Sequence, residues 1–295
     1  GDLNKYFPKS PFKDKTINFF LGLDISSNVN EAAKRFYREH MKKGKAMFFQ
    51  YDTSQSIRDG SGLIQKTTQN KHLHDILFST AKKIPKSYAT IEKKYENLGK
   101  KGFDIISSQF SFHYYFESEE TFRSYLQNVS ENCHKGGYFI GTCYDGNKVF
   151  DLLQSSEHGL TMNDELDNLV FSLQKDYDID SFDYDPSNKS KFFGQKINVY
   201  MNSIGQEITE YLVNFDLVTD YLQEYGFEKV SLKSLVLNGN GIGSFEPVIE
   251  SLDKLYSQDR SLKTTYKDSL LMNRKENTPL KILSGLNNWF VFQKK

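Results

Sequence analysis

The sequence predicts an open α/β fold built on a doubly wound sheet, and three observations carry that prediction. An apolar run closed by an acid occurs twice, at Asn18–Asp24 and at Ala46–Asp52. A third run, Phe103–Ile106, contains no turn residue and stops abruptly in a polar and aromatic cluster, Ser107–Ser118. Stretches with apolar residues at helical spacing separate these runs, and strands alternating with helices imply crossover units of a parallel sheet.

Taken in order, the opening GDLNKYFPKS begins on Gly1 and runs straight into a helical pattern. No strand precedes it to supply the first half of a nucleotide-binding unit, so the chain reads as truncated there. Asn18–Leu23 is apolar enough for a central parallel strand, and Ser26 or Asn28 can cap a helix carrying Ala32, Ala33 and Phe36. Asp24 closes that strand. A carboxylate at this place can accept two hydrogen bonds from a ribose diol, whereas the plainer reading has Asp24 start a turn. Ala46–Asp52 repeats the same grammar, and Thr53–Gly62 reads as a loop. Asn70–Tyr95, with His72, His74 and many lysines, predicts an exposed basic helix. The two histidines stand two apart, on different sides of a helix, which reads as solvated surface rather than a metal site.

Phe103, Ile105 and Ile106 predict a buried strand, and the loop after it delivers Gln109, His113, Tyr114 and Glu117 together. Ligands of open α/β sheets bind outside the carboxyl ends of the strands, so this loop is a candidate site. The opposed reading places its aromatics in the core. Phe122, Tyr125, Leu126 and Val129 form a helical stripe, Gly136-Gly137 end that helix, and Tyr138–Thr142 is the next strand. Residues 151–192 break the alternation and carry a loop at SFDYDPSNKSKFF. Ile197–Ser203 alternates as an antiparallel strand, and ITEYLVNF leads through a strand-like entry into a helix ended by Gly226. Residues 151–235 are therefore expected to form an insertion covering the substrate. SFEPVIESLDKLYS reads as an amphipathic helix, and LNNWFVFQKK as a closing apolar strand.

Composition bounds the function. The 295 residues allow one sizeable domain with an insertion, or two small ones. Aromatic content is high, with 18 Tyr and 24 Phe, which suits stacking on nucleobases and is equally explained by codon bias. Thirty-eight basic and 38 acidic side chains cancel, which excludes a global polyanion trap and leaves any RNA contact to a local patch. Two cysteines, Cys133 and Cys143, build no disulfide framework and show no metal-ligand spacing, as in a reducing compartment. No apolar run approaches the roughly 18 residues needed to cross a bilayer, and no signal peptide opens the chain. A soluble, intracellular protein with no membrane partner is expected.

The wording of the loop adds a resemblance. Gln109–Ser118, QF, two residues, HY, one residue, FES, resembles the loop after the fourth strand of messenger RNA cap guanine-N7 methyltransferases. Gly1-Asp2-Leu3 is similar to the tail of that family's glycine-rich first motif, GGYFIGT at Gly136–Thr142 to its next strand, and TEYLVNF to its E-[FY]-L-V segment. The final strand departs from the pattern: Asn287 stands where a tyrosine usually enters near the cap, and Trp289 is the remaining candidate for stacking. The resemblance implies a Rossmann-like class I methyltransferase sheet with an added antiparallel cap-binding segment, using S-adenosylmethionine as cofactor to methylate guanine N7 of the 5′ GpppN cap. It further implies that Gly1, Asp24, Asp52, Gln109 and Tyr114 hold the cofactor, with Asp52 at the adenine amino group, and that His113 and Glu210 hold the cap guanine. Neither a proton-transferring residue nor a metal is implied. The partner is a capped mRNA 5′ end, with RNA triphosphatase and guanylyltransferase domains fused or bound. The setting is the nucleus, or the host cytoplasm or virion of a large DNA virus of low GC content. Two rivals share the fold, a small-molecule methyltransferase and a degenerate, non-catalytic partner subunit. The first would not need Glu210, and the second would have lost Asp24, Asp52 and Gln109.

Overall fold

The computed structural model describes residues 3–6, 17–40, 44–81, 83–157, 159–233, 238–258 and 278–295; Gly1 lies outside the described residues. The chain forms two compact units, residues 1–103 with 127–134, and residues 104–126 with 135–295.

In the first unit a short helix, α1 (Leu3–Tyr6), precedes β1 (Phe19–Asp24), α2 (Val29–Glu39) and β2 (Lys45–Gln50). β1 and β2 pair in parallel, from Phe19 opposite Lys45 to Asp24 opposite Gln50. Parallel neighbours require a crossover, and α2 supplies it, burying Val29 and Phe36. Alternation along β2 sends Ala46 to a cluster with Leu3 and Phe36. Met47 and Phe49 go instead to a second cluster with Tyr51, Ile57, Leu63, Leu77 and Phe78. Apolar partners for both faces explain why the run is nearly continuous in sequence.

Residues 70–95 are not one helix. α3 (Thr68–Phe78) starts at Thr67, whose side chain accepts from Asn70 N, and stops at Ser79 in a left-handed conformation. α4 (Ala89–Tyr95) follows a tight turn at Lys86–Tyr88. The expected solvated surface at His74 is corrected. His74 is 3% exposed, because it shares a helix face with Leu77 and Phe78 and is buried with them. His72 lies edge-on to the ring of Tyr88 at 4.9 Å. No metal-binding cluster of His, Cys, Asp or Glu occurs among the described residues.

β3 (Phe103–Gln109) leads into a 3-10 turn, Phe112–Glu117, then α5 (Glu119–Asn132), β4 (Cys133–Tyr144) and α6 (Gly146–Gln154), all in the second unit except Phe103 and residues 127–134. β5 (Leu160–Asn163), β6 (Leu169–Asp176), β7 (Lys196–Met201) and β8 (Gln206–Tyr211) form an antiparallel sheet in that order. α7 (Phe215–Glu224), β9 (Phe227–Lys229), and a small antiparallel pair, β10 (Ser231–Lys233) with β11 (Asn238–Asn240), follow. β12 (Ile242–Ser244), α8 (Phe245–Gln258), α9 (Thr278–Gly285) and β13 (Asn287–Lys294) complete the chain. The larger sheet runs β12–β13–β4–β3, with β9 also on β13.

The α/β class and the antiparallel addition are as expected; several details differ. β3 is an end strand, and Ile105 is 56% exposed, so the strand is not buried throughout. α5 buries the expected stripe of Phe122, Tyr125, Leu126 and Val129, yet it ends at Asn132. Gly136-Gly137 fall within β4 instead. The stretch 151–192 contains the end of α6, together with β5 and β6. β5 alternates but is only four residues long, and β6 opens on three apolar residues in succession, Leu169, Val170 and Phe171, so neither presents a long run with a period of two in the sequence. α7 is capped by Asn214, whose side chain accepts from Asp216 N and Leu217 N, and Gly226 follows it at φ 82°. No described helix is long and apolar enough to cross a membrane.

Candidate active site

Two acids end the parallel strands of the first unit. Asp24 is the last residue of β1, and its Oδ1 accepts from Ser26 N at 2.8 Å. Asp52 lies two residues beyond β2. Its Oδ1 accepts from Ser54 N at 3.0 Å and from Ser54 Oγ at 2.7 Å. In both turns Oδ1 is the oxygen engaged, so each carboxylate is aimed by the chain immediately after it. The backbone joins the two ends: Tyr51 N donates to Asp24 O at 2.8 Å, and Gln50 Nε2 donates to Ile25 O at 2.9 Å. Asp52 N donates to Gly62 O, and a Cβ at Gly62 would collide with Asp52 O, so this approach requires glycine. The pair is thus held side by side at the carboxyl ends of adjacent parallel strands, where ligands of this class of sheet bind.

The remaining described candidates, Gln109, His113, Tyr114 and Glu210, belong to the second unit. Gln109 ends β3; its Oε1 accepts from Thr142 Oγ1 and its Nε2 donates to Ser107 Oγ, both at 3.0 Å. Phe110 turns the chain with φ 52°, a left-handed conformation rare for such a residue, held by Phe110 N donating to Thr142 O at 2.8 Å. Phe112 and Phe116 are fully buried. Phe112 packs against Phe122, Phe139 and Phe290 with ring centroids 5.1 to 5.8 Å away. Each such ring contributes about 1.5–3 kcal/mol by leaving water, so the turn is pinned on both sides of His113 and Tyr114.

His113 and Glu210 meet. Nε2 of His113 lies 3.4 Å from Oε1 of Glu210, and the residues are 3% and 5% exposed. Both ring nitrogens of His113 and Oε2 of Glu210 are buried with no hydrogen-bond partner. Buried polar atoms are normally paired, so these groups retain hydrogen-bonding capacity that a ligand could use. Gly194 N donates to Phe116 O, which ties the start of the β7–β8 hairpin to this turn, and Leu212 N donates to Gln195 O, which closes the two ends of the hairpin on each other. Glu210 is therefore not an exposed strand residue.

The sequence profile of the mRNA (guanine-N(7))-methyltransferase domain matches residues 1–269. The chain belongs to that family. An mRNA cap guanine-N(7) methyltransferase of Meyerozyma guilliermondii is 28% identical over 70% of this chain and 33% of its own length. Its counterpart in Candida albicans is 28% identical over 76% of this chain and 43% of its own. A protein of Acanthamoeba polyphaga mimivirus named "Probable mRNA-capping enzyme" is 26% identical over 76% of this chain and 18% of its own. The chain thus spans less than half the length of these curated relatives. A solved S-adenosylmethionine dependent methyltransferase from Mesorhizobium loti aligns over 94% of this chain and 81% of its own, at 11% identity and a TM-score of 0.42, too distant to carry an argument.

The structure places Asn287, where the last strand departs from the cap methyltransferase pattern, and Trp289, the stacking candidate. Asn287 is buried and donates through Nδ2 to Leu283 O at 3.0 Å, so it caps the preceding helix. Trp289, 5% exposed, packs on Gly243, where any Cβ would strike the indole. Trp289 is core. The rings beside His113 are Tyr114, at 4.3 Å and edge-on, and Tyr144, at 6.3 Å and 32°. Burial pushes the Tyr144 hydroxyl well above its ordinary pKa, and Glu210 and then Tyr114 push it further, which locates Tyr144 among these groups. Sequence reading missed Tyr144 because it ended the strand at Thr142, whereas β4 continues to Tyr144. The signal was the acid that follows: Asp145 closes this strand as Asp24 closes β1. Its Oδ1 caps α6 by accepting from Asn147 N, and its Oδ2 accepts from Asn288 Nδ2 at 2.8 Å.

Proposed function

We propose that this chain binds S-adenosylmethionine and methylates N7 of the guanosine in the 5′ GpppN cap of mRNA. One observation carries the choice of substrate: the buried Glu210 carboxylate beside His113, with Oε2 and both ring nitrogens in no hydrogen bond. Guanine offers N1–H and an exocyclic amino group on one edge, and an ionised carboxylate accepts from both; adenine cannot present that pair. For the cofactor, Asp24 is suited to accept from a ribose diol and Asp52 from an adenine amino group, the two acids standing at adjacent strand ends. Gln109 and Tyr114 position the cofactor on this reading, and residues 151–235, which include the β5–β8 sheet, cover the substrate.

Guanine N7 carries an in-plane lone pair and no proton, so no general base is required. The cofactor supplies a sulfonium methyl group. The work of the chain is alignment and electrostatics. Positive charge builds on the guanine ring during transfer, so a carboxylate at its edge and aromatic faces beside it bind the transition state more strongly than the ground state. His113 holds the guanine together with Glu210 on this reading, and no side chain need move a proton. Fused or bound triphosphatase and guanylyltransferase partners are part of this proposal; in its support, this chain matches 18% of a mimivirus protein named "Probable mRNA-capping enzyme".

The test is methyl transfer by the full-length protein from labelled S-adenosylmethionine to GpppA-RNA, pppA-RNA and free GTP. Transfer to GpppA-RNA should exceed that to pppA-RNA by orders of magnitude. A cofactor-binding protein with no preference for the cap would be a methyltransferase of another substrate.

A further inference from the structure

The loop after β2 is held from behind by one side chain. Asn128, on α5 and 3% exposed, uses its amide on alternate residues of that loop. Nδ2 donates to Thr53 O at 2.9 Å and to Gln55 O at 2.7 Å, while Oδ1 accepts from Ile57 N at 2.9 Å. Between the first two of these residues stands Ser54, whose N–H and hydroxyl both donate to Asp52 Oδ1. Ile57 is gripped a second time: its carbonyl accepts from His74 Nε2 at 2.7 Å. Tyr51 Oη adds a bond to Ser56 O at 2.7 Å.

A connector on the surface does not need a buried amide reaching it from more than 70 residues away. Side chains committed in this way fix a geometry, since leaving any of the groups unpaired inside the protein is costly. We infer that Asn128 is a positioning residue for adenine recognition, holding the 53–57 loop so that Ser54 aims the Asp52 carboxylate. The inference rests on the reading of Asp52 as the acceptor for the adenine amino group. Selectivity for adenine over a 6-keto purine then depends on Asn128, although Asn128 touches neither cofactor nor substrate.

The experiment titrates the full-length protein with S-adenosylhomocysteine and with its inosine analogue, alongside thermal unfolding. The readout is the ratio of the two dissociation constants, which a general loss of stability does not move. Asn128→Ala should shrink that ratio about tenfold, the worth of one well-placed hydrogen bond. Asn128→Asp should do the same, since it keeps the acceptor for Ile57 N but sets a carboxylate against two carbonyls. Phe36→Leu, in the separate cluster with Leu3 and Ala46, is the destabilised control and should keep the ratio. Asp52→Ala separates the two readings. If it leaves the ratio intact, Asp52 does not read adenine. If it abolishes the ratio while both Asn128 variants preserve it, the positioning role alone is overturned. Should the Asn128 variants not fold, Ser54→Ala removes one of the bonds that aim Asp52, and an unchanged ratio there overturns the inference equally.

Discussion

His113 Nε2 stands 3.4 Å from Glu210 Oε1, although the 3-10 turn and the β8 strand that bear them are remote in sequence. The pair is buried, yet it is not aligned as a hydrogen bond. Glu210→Gln keeps the volume and removes the charge and one acceptor. Methylation of GpppA-RNA should fall by about 10- to 100-fold, the worth of one charged hydrogen bond to the guanine edge, with cofactor affinity nearly unchanged. Parallel titrations with S-adenosylhomocysteine check this, and equal losses in both would point to damage of the fold.

His113→Ala and Tyr114→Ala should act on different ligands. The first should raise KM for capped RNA or lower kcat, and the second should chiefly weaken cofactor binding. The double variant should lose less than the sum of the two, because both residues sit on one pinned turn and serve one reaction geometry. Steady-state kinetics on the four proteins decides it; strict additivity would mean independent roles.

Asp24→Ala should weaken S-adenosylhomocysteine binding by about 1.5–3 kcal/mol for each charged hydrogen bond lost to the ribose. Calorimetric titration of the full-length protein is the measurement. An unchanged affinity removes Asp24 from the site and leaves it as the turn residue that its bond to Ser26 N already makes it.

Burial lowers the pKa of His74, opposed by its bond to Ile57 O and by Asp75 and Asp59. The folded protein therefore binds a proton there less readily than the unfolded chain, whose histidines titrate near about 6.5. The stabilising contribution is complete above that value and is lost as pH falls below it, until the folded imidazole also protonates. Thermal unfolding between about pH 7.5 and 5 should show this as a falling Tm. His74→Gln, whose amide can still donate to Ile57 O, should flatten the slope.

The acids at strand ends were legible in the sequence because an apolar run closed by Asp reports burial and strand termination in one local signal. Phe122, Tyr125, Leu126 and Val129 were legible for the same reason, since helical spacing is local. What sequence could not show depends on distant partners. His74 reads as surface until Leu77 and Phe78 are seen to bury its face, and nothing local in the sequence shows that Glu210 is buried with His113 beside it. Trp289 reads as a stacking candidate until Gly243 is found beneath it. β6 escaped notice because it opens on Leu169, Val170 and Phe171, an apolar run that leaves only a short alternation after it.

The position of β13 dictates an order of assembly. Asn287–Lys294 lies between β12 and β4 in the sheet, and its Asn288 bonds an Asp145 that was synthesised 143 residues earlier. On the ribosome, β4 must wait with that edge unpaired until the last of these eight residues has emerged. Contacts of such long range are slow to form, and an apolar edge kept waiting invites pairing with other nascent chains. Loss of Asn287–Lys294 would therefore be felt during synthesis, as aggregation and chaperone dependence, before any shortfall in methyl transfer could be measured.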